Sequence, residues 1–563
     1  MLRMTPEKNL STTTKWEYLV PVLASVSLLI SCIMISSKKI FWNDEFYSYY
    51  LLSDPSFTHM LVAFHDKINN TPPLYFILGW LWAKAFGSTE LSLRLFSSLG
   101  MCVACVVVWI TLRRTYKFWP ASIGTLGVFC TSEFILSQNA EARMYGLFLA
   151  VCSLALLQFD INNRNSKCSL RIILSNAFIH ASIVQSHLLG LFYSVAAFFS
   201  QVIRDRYFKV FKPRIYLSIV ISWLSLILYI PSFLNQADAG NPRTWIPVPL
   251  IKDLIDLLSL SSSSFLNPLV VLALVLFSGL LFLFKVYVSR TSQINKQKRP
   301  NINREISLLI FACAFLAVPV FVWIISRTIK PIFVDRYMIP SVLSWSILLA
   351  YLSSRIICVS ILSNEISKRS RIAKVLVAVP ILFLLFVLTT ILLVEPIRYA
   401  KSYPRQYLPG LNDNKYGYKA LPIAVQSSDQ FLKRVYYSPE RNRYFFILDW
   451  QAAVDNASGQ FGPQEYKHLD AIKRNYPNLF PNNIITSEDF LRNYNRFLVL
   501  DYKDYNKKCP SEVMGLEKAR DWEDMHCPRW VEMRLLSNPN YKVTHLGDIY
   551  GEALLLVEKN LDL

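Results

Sequence analysis

The sequence predicts a polytopic α-helical membrane protein with a C-terminal extracytoplasmic α/β domain. Three observations predict it. Of 563 residues, 53% are hydrophobic and only 17% are charged, where a soluble domain carries about 25% charged residues. Runs of nearly twenty apolar residues recur through the first two thirds of the chain, and each can cross a hydrocarbon core about 30 Å thick. Beyond Glu395 the composition becomes that of an ordinary soluble domain, with 23 Lys+Arg and 21 Asp+Glu in residues 396–563.

The net charge of +20 is therefore concentrated in residues 1–395, which hold 36 basic and 18 acidic residues. Basic excess in the short loops of a membrane protein marks cytoplasmic segments and needs no nucleic-acid partner. Apolar runs fall at about 18–35, 95–112, 119–137, 146–159, 172–187, 188–203, 215–231, 265–284, 306–326, 339–353 and 375–394. With the N-terminus inside, segments 1–17, 113–118, 160–171, 204–214, 285–305 and 354–374 are cytoplasmic, and they hold 25 of those 36 basic residues. No small-residue cleavage site follows the first run, so it reads as a retained helix. The run LYFILGWLWAKAF at 74–86 has thirteen residues, too few to span comfortably. It reads as an interfacial helix; as a span it would turn every later basic loop outward.

Eleven spans place the C-terminus outside. This divides the chain into a transmembrane domain, 1–395, whose first outer loop covers 36–94, and a soluble extracytoplasmic α/β domain, 396–563. Short strand-like runs in the second part (LPIAV, RYFFILDW, RFLVLDY, EALLLVEK) alternate with polar helical stretches such as QEYKHLDAIKRNY, the pattern of an α/β unit. It contains two of the ten cysteines, Cys509 and Cys527. In an oxidising exterior they can pair, closing a loop that contributes roughly 3 kcal/mol; two unrelated thiols are the plainer alternative. The other eight lie in or beside spans and read as small core hydrophobes.

Topology gathers five polar constellations on the outer face. ISSKKIFWNDEFYSYYLL carries Asp44 and Glu45 after the first span. SQNAEARMY carries Glu141, Arg143 and Tyr145, QSHLLGLFY carries His187, and VDRYMIP carries Asp335, Arg336 and Tyr337; the loop NQADAGNPRTWIPVP completes the set. Ionisable groups near span ends are costly in lipid and face a cavity or a partner. Each also has an ordinary reading. Acids favour helix N-termini, arginines snorkel to the headgroups, and a histidine on an apolar helix end is usually a hydrogen-bonded structural residue. His59, His65 and His180 have no stronger claim. Convergence on one rim sets the others apart.

Guanidinium groups bind phosphate oxygens bidentately, so Arg143 and Arg336 with a tyrosine can clamp a phosphate at headgroup depth. A carboxylate in reach can remove a proton from an incoming hydroxyl. An acid can also help hold a divalent metal ion, and Asp44 with His187 is the candidate pair; no other cofactor is indicated. Together these describe transfer from a lipid phosphate to an acceptor hydroxyl. A transporter or flippase is the rival from another class, but its relays sit near the bilayer midplane, often on broken helices in repeated halves. A ligand sensor anchored by its helices needs far fewer spans. A lipid-linked oligosaccharide ligase or polymerase is the nearest enzymatic alternative.

The order WNDEFYSYY, NTPPLYFILGWLWAKAFGSTELSLRLFSSL, QNAEARMYGLF, DRYMIP resembles the dolichyl-phosphate-mannose–protein mannosyltransferase-like family of bacterial GT-C glycosyltransferases, in the superfamily of the lipid A aminoarabinose transferases. The resemblance covers the first 150 residues well, the helical remainder loosely, and the C-terminal part not at all. It implies an inverting transferase that takes a sugar from a polyprenyl-phosphate donor at the outer leaflet of the bacterial inner membrane and passes it to a lipid, glycan or protein acceptor. It implies that Asp44 is the base or metal-associated carboxylate and that Glu45 fills the second acidic position. Arg336 and Tyr337 match a pair that meets the donor phosphate. Glu141, Arg143 and Tyr145 fall beside the same cavity, and His187 matches a histidine of many bacterial relatives. Relatives often carry Lys or His before the Pro-Pro, where this chain has Thr71; either Lys67 or an arginine is then expected to supply that phosphate-binding charge, or the donor sits differently.

Overall fold

A computed structural model describes residues 15–165, 168–240, 246–258, 302–361, 371–411, 418–455, 462–503, 505–506, 530–549 and 551–560. The expected span at 265–284 and both Cys509 and Cys527 lie outside the described residues.

Six described helices are long and apolar enough to cross a membrane: Lys15–Ser36, Glu90–Arg113, Tyr145–Arg164, Ile302–Thr328, Asp335–Arg355 and Phe383–Ser402. A seventh is formed if the pair Pro213–Leu228 and Ile230–Ala237, bent by 58°, is one broken span. The chain is a multi-pass membrane protein. The bend falls at Tyr229, two residues before Pro231. Proline has no N–H to donate and its ring crowds the preceding turn, so the ladder breaks there. The expected span at 188–203 is a continuous 18-residue helix, Gly190–Tyr207, outside that set; others are shorter or interrupted. Phe118–Phe129 stops after twelve residues, and a separate helix, Glu133–Gln138, follows. Leu170–Val184 and Leu74–Phe86 are also shorter apolar helices, the last with the bounds read from the sequence.

Helices approach most closely where the chain supplies glycine. A Cβ built on Gly146 would stand 1.9 Å from the Ser97 carbonyl oxygen, and one on Gly100 would stand 2.3 Å from the Gly146 backbone. The helices Glu90–Arg113 and Tyr145–Arg164 are thus packed backbone to backbone. This fixes the loop before Tyr145, which carries Glu141 and Arg143, against the first outer loop. Ser97 Oγ donates to the Arg143 carbonyl at 2.7 Å and secures the same junction.

The C-terminal part folds around a six-stranded mixed sheet, β1 Ile423–Val425, β2 Tyr444–Leu448, β3 Ile484–Thr486, β4 Arg496–Tyr502, β5 Tyr541–Ile549 and β6 Glu552–Lys559, in the order β3-β2-β1-β4-β6-β5. The first four strands are parallel, while β6 runs antiparallel to β4 and to β5. Strands β1, β2, β4 and β6 are those the apolar runs predict. They pair through buried residues such as Leu498 opposite Leu556 and Val499 opposite Leu555. Two strands escape sequence reading: β3 has only three residues, and β5 (YKVTHLGDI) is a polar edge strand.

This sheet unit sits directly on the first outer loop. The Asn43 N–H donates to Asp429 Oδ1 at 2.9 Å, and the Phe41 N–H donates to Tyr437 Oη at 2.8 Å. Tyr476 Oη donates to the buried Asp54 carboxylate at 3.0 Å, and Arg474 Nη2 to Asp66 at 3.0 Å. Lys467 pairs with Asp238 of the following loop. The unit is therefore part of the wall around whatever the first loop encloses.

Candidate active site

The acid pair lies at the start of the helix Asn43–Leu52. Neighbouring positions on a helix diverge by about 100°, so they do not share a face. Glu45 turns inward. Its two oxygens take a bidentate pair from Arg94, Nε and Nη2 each at 2.9 Å, and Oε1 also accepts the Ala142 N–H at 2.9 Å. Both side chains are fully buried. Burial alone would raise the Glu45 carboxyl, but Arg94 and Lys39 hold it below the ordinary carboxylate range. Glu45 is thus a structural anion that ties the first loop to the helix Glu90–Arg113. The catalytic role expected from the sequence is corrected here, since no oxygen of Glu45 is left for a substrate.

Asp44 turns the other way, into a cavity of about 400 Å³. Arg336 Nη2 lies 3.2 Å from Asp44 Oδ2, and Arg143 Nη2 lies 3.8 Å from the same oxygen. Arg143 Nη1 donates to the Asp44 carbonyl at 3.0 Å and to Ser48 Oγ at 3.1 Å. Arg336 Nε donates to Tyr145 Oη at 3.0 Å, and the guanidinium rests over the Trp42 ring at 5.2 Å. Tyr337 packs edge-on against His187, ring centroids 4.9 Å apart, and His187 stacks on Phe148 at 4.8 Å. One carboxylate and two guanidinium groups from three distant segments therefore meet, with Asp44 and Arg336 separated by 292 residues of sequence. Asp44, Arg143, His187 and Tyr337 line the cavity, as do Tyr47, Asn69, Gln236, Lys330, Gln464 and His468.

Two expected site residues lie elsewhere. Glu141 faces a different pocket, with Arg405 and Lys433, where it is bound by Lys39 and by the Trp42 indole N–H. Lys67 is 3.2 Å from Asp238 and does not line the cavity. It shares the Asp238 carboxylate with Lys467 and, lying off the cavity, does not replace the cation absent at Thr71. Lys330 does line the cavity and has no ion-pair partner among the described residues. Sequence reading missed it because TIKPIF is an ordinary loop after a span. It missed Gln464 and His468 because QEYKHLDAIKRNY reads only as a solvated helix, although their i,i+4 spacing places both on one face.

The donor set does not suit a metal ion. Among the described residues no three His, Cys, Asp or Glu side chains converge. Asp44 already faces two guanidinium cations, and His187 Nδ1 accepts the Leu189 N–H at 3.1 Å. No step below is routed through a metal.

No protein-family model and no curated protein sequence matches the chain. Among solved structures it is similar to ArnT from Cupriavidus metallidurans in the apo state, at 12% identity and a TM-score of 0.52, covering 96% of this chain and 97% of that one. ArnT bound to undecaprenyl phosphate gives 13% identity and a TM-score of 0.49 over 97% and 98%. The archaeal oligosaccharyltransferase AglB from Archaeoglobus fulgidus, in complex with an inhibitory peptide and a dolichol-phosphate, gives 13% and 0.43 over 87% and 70%. At such identities the likeness speaks to the fold. The fold is of the GT-C type that the motif order implies, with helical spans followed by a C-terminal sheet unit.

Proposed function

We propose that this chain is an extracytoplasmic membrane glycosyltransferase that takes a sugar from a polyprenyl-phosphate donor and passes it to an acceptor hydroxyl. The observation that carries the reading is the meeting of Asp44 with Arg143 and Arg336, where Asp44 and Arg143 line one cavity and Arg336 reaches Asp44 from beside it. A carboxylate between two guanidinium groups is a charge set that an incoming phosphate can reorganise. Phosphate oxygens compete for Arg336, Arg143 and Lys330, and the Asp44 oxygen they release becomes free to accept a proton.

The step that follows is a displacement with inversion. Asp44 takes the proton of the acceptor hydroxyl as its oxygen bonds to the anomeric carbon. The bond from that carbon to the phosphate oxygen breaks, and its electron pair leaves on polyprenyl phosphate. The cations stabilise the charge growing on that phosphate, which is where preorganised charge contributes most to rate. Glu45, Arg94 and the backbone at Ala142 hold the helix carrying Asp44 in place. In this reading the face bearing the cavity is extracytoplasmic, which the basic excess of the opposite loops supports, and the membrane is the bacterial inner membrane.

The experiment is to purify the protein in mild detergent and identify co-bound lipids by native mass spectrometry. A polyprenyl phosphate, bare or carrying a sugar, is the expected ligand. Exclusive retention of bulk phospholipid would contradict the reading.

A further inference from the structure

Arg143 and Lys330 are the cationic residues on the cavity wall, and the proposed chemistry leaves the remaining polar lining unused. That lining is neutral and comes from three places: Asn69 and Asn70 of the first outer loop, Gln236 after the bent helix, and Gln464 and His468 of the sheet unit. Its hydrogen bonds can be followed atom by atom. His468 Nδ1 donates to the Lys67 carbonyl, which leaves Nε2 an acceptor, and Gln464 Nε2 lies 3.2 Å from it. Gln464 Nε2 also donates to the Asn70 side-chain oxygen at 3.0 Å, in the Asn70 amide orientation that satisfies its neighbours. Gln236 is held by the Phe64 carbonyl at 2.5 Å and by Tyr229 Oη at 2.7 Å.

Four residues lining this cavity carry a buried polar atom with no hydrogen-bond partner among the described residues: Arg143 Nε, which belongs to the phosphate-binding set, Tyr47 Oη, and the pair Gln464 Oε1 and His187 Nε2. Gln464 is 8% exposed, and its Oε1, a hydrogen-bond acceptor, is buried with no partner. His187 is 1% exposed; with Nδ1 accepting from Leu189, its Nε2 carries the proton and is a buried donor with no partner. An unpaired buried polar group is costly, about 1–3 kcal/mol, so such atoms on a cavity wall point to a ligand. A hydrocarbon tail satisfies neither. A phosphate has no use for an amide oxygen, which would repel it. A hydroxyl both donates and accepts, so a ring bearing several hydroxyls supplies a partner of the kind each atom needs.

We infer that Gln464 of the C-terminal sheet unit and His187 of the membrane part together bind hydroxyls of the sugar on the lipid-phosphate donor, so that the sheet unit completes the active site and selects the sugar. This rests on the glycosyltransferase reading, since the cations beside Asp44 fix where the phosphate sits and therefore where its sugar extends. Gln464 and His187 are specificity residues in this account; neither touches the proton being transferred.

The test uses purified full-length protein titrated with undecaprenyl phosphate and with a panel of undecaprenyl-phosphate-linked neutral hexoses and pentoses. Wild type is expected to bind one sugar-bearing lipid more tightly than the bare lipid phosphate. Gln464→Leu is expected to lose at least about tenfold in affinity for that lipid, the scale of a buried hydrogen bond, while binding bare undecaprenyl phosphate within about twofold of wild type. His187→Phe, which leaves the sheet unit untouched, is expected to show the same split and decides alone if Gln464→Leu does not fold. Retention of the sugar preference in these variants overturns the inference, as does equal loss on both lipids. A wild type that binds bare and sugar-bearing lipids equally overturns this inference alone. A wild type that binds no undecaprenyl phosphate removes the glycosyltransferase reading with it.

Discussion

Asp44→Asn is expected to lower turnover at least about a hundredfold, the usual cost of removing one well-placed group that acts in the transition state. The substitution keeps the shape and the hydrogen-bonding capacity toward Arg336 but removes the group that accepts the acceptor's proton. Asp44 is partly exposed on the cavity wall, with 24% of its side chain accessible, so the folded yield should match wild type. Turnover with the donor identified from co-purified lipid, normalised to folded protein, reads the effect directly. Activity within a few-fold of wild type would assign the base elsewhere. The loss should appear in kcat more than in KM. Uniform substrate binding falls mainly on the cations, while the proton acceptor acts only as the acceptor attacks.

The second large effect is on stability, one residue along the chain. Arg94→Leu leaves the fully buried Glu45 carboxylate without its bidentate partner. Breaking a buried pair from one side costs about 3–5 kcal/mol, because the remaining charge stays desolvated. Glu45→Gln strands Arg94 in the same way. Both variants are expected to show a clearly lowered thermal midpoint in detergent and poor folded yield, in contrast to Asp44→Asn. A fluorescence-monitored melt separates the two cases: an unchanged midpoint in Arg94→Leu would show that the pair is not the brace described here. Two adjacent carboxylates thus give opposite signatures, one kinetic and one structural.

That contrast also shows where sequence reading reaches and where it stops. Charge asymmetry among loops places Asp44, Arg143, His187 and Arg336 on one face, since the positive-inside rule needs only composition. The same rule is blind to direction around a helix, so it does not separate Asp44 from Glu45. The divergence follows from the helix beginning at Asn43, a boundary the aromatic run FWNDEFYSYY conceals. Arg94 is visible as an arginine in an apolar run, though nothing local names its partner 49 residues away. Strands β1, β2, β4 and β6 are legible because their apolar runs are continuous. The polar edge strand β5 and the three-residue β3 carry no such signal. Gln464 and His468 were hidden for a different reason. Their helix gains its role by docking on two outer loops, through Lys467 with Asp238 after the bent helix and Arg474 with Asp66 of the first outer loop. Contacts between residues some 230 to 410 positions apart leave no periodicity in the chain.

The GT-C reading rests on a lipid phosphate being held by the guanidinium groups beside Asp44. The most direct measurement is equilibrium titration of undecaprenyl phosphate into purified wild type and Arg336→Ala. Saturable binding at one site per chain is predicted for wild type. Arg336→Ala should weaken it at least about tenfold, the scale of a lost charge-assisted hydrogen bond. Equal affinity in the two proteins, or no saturable binding by wild type, would contradict the account.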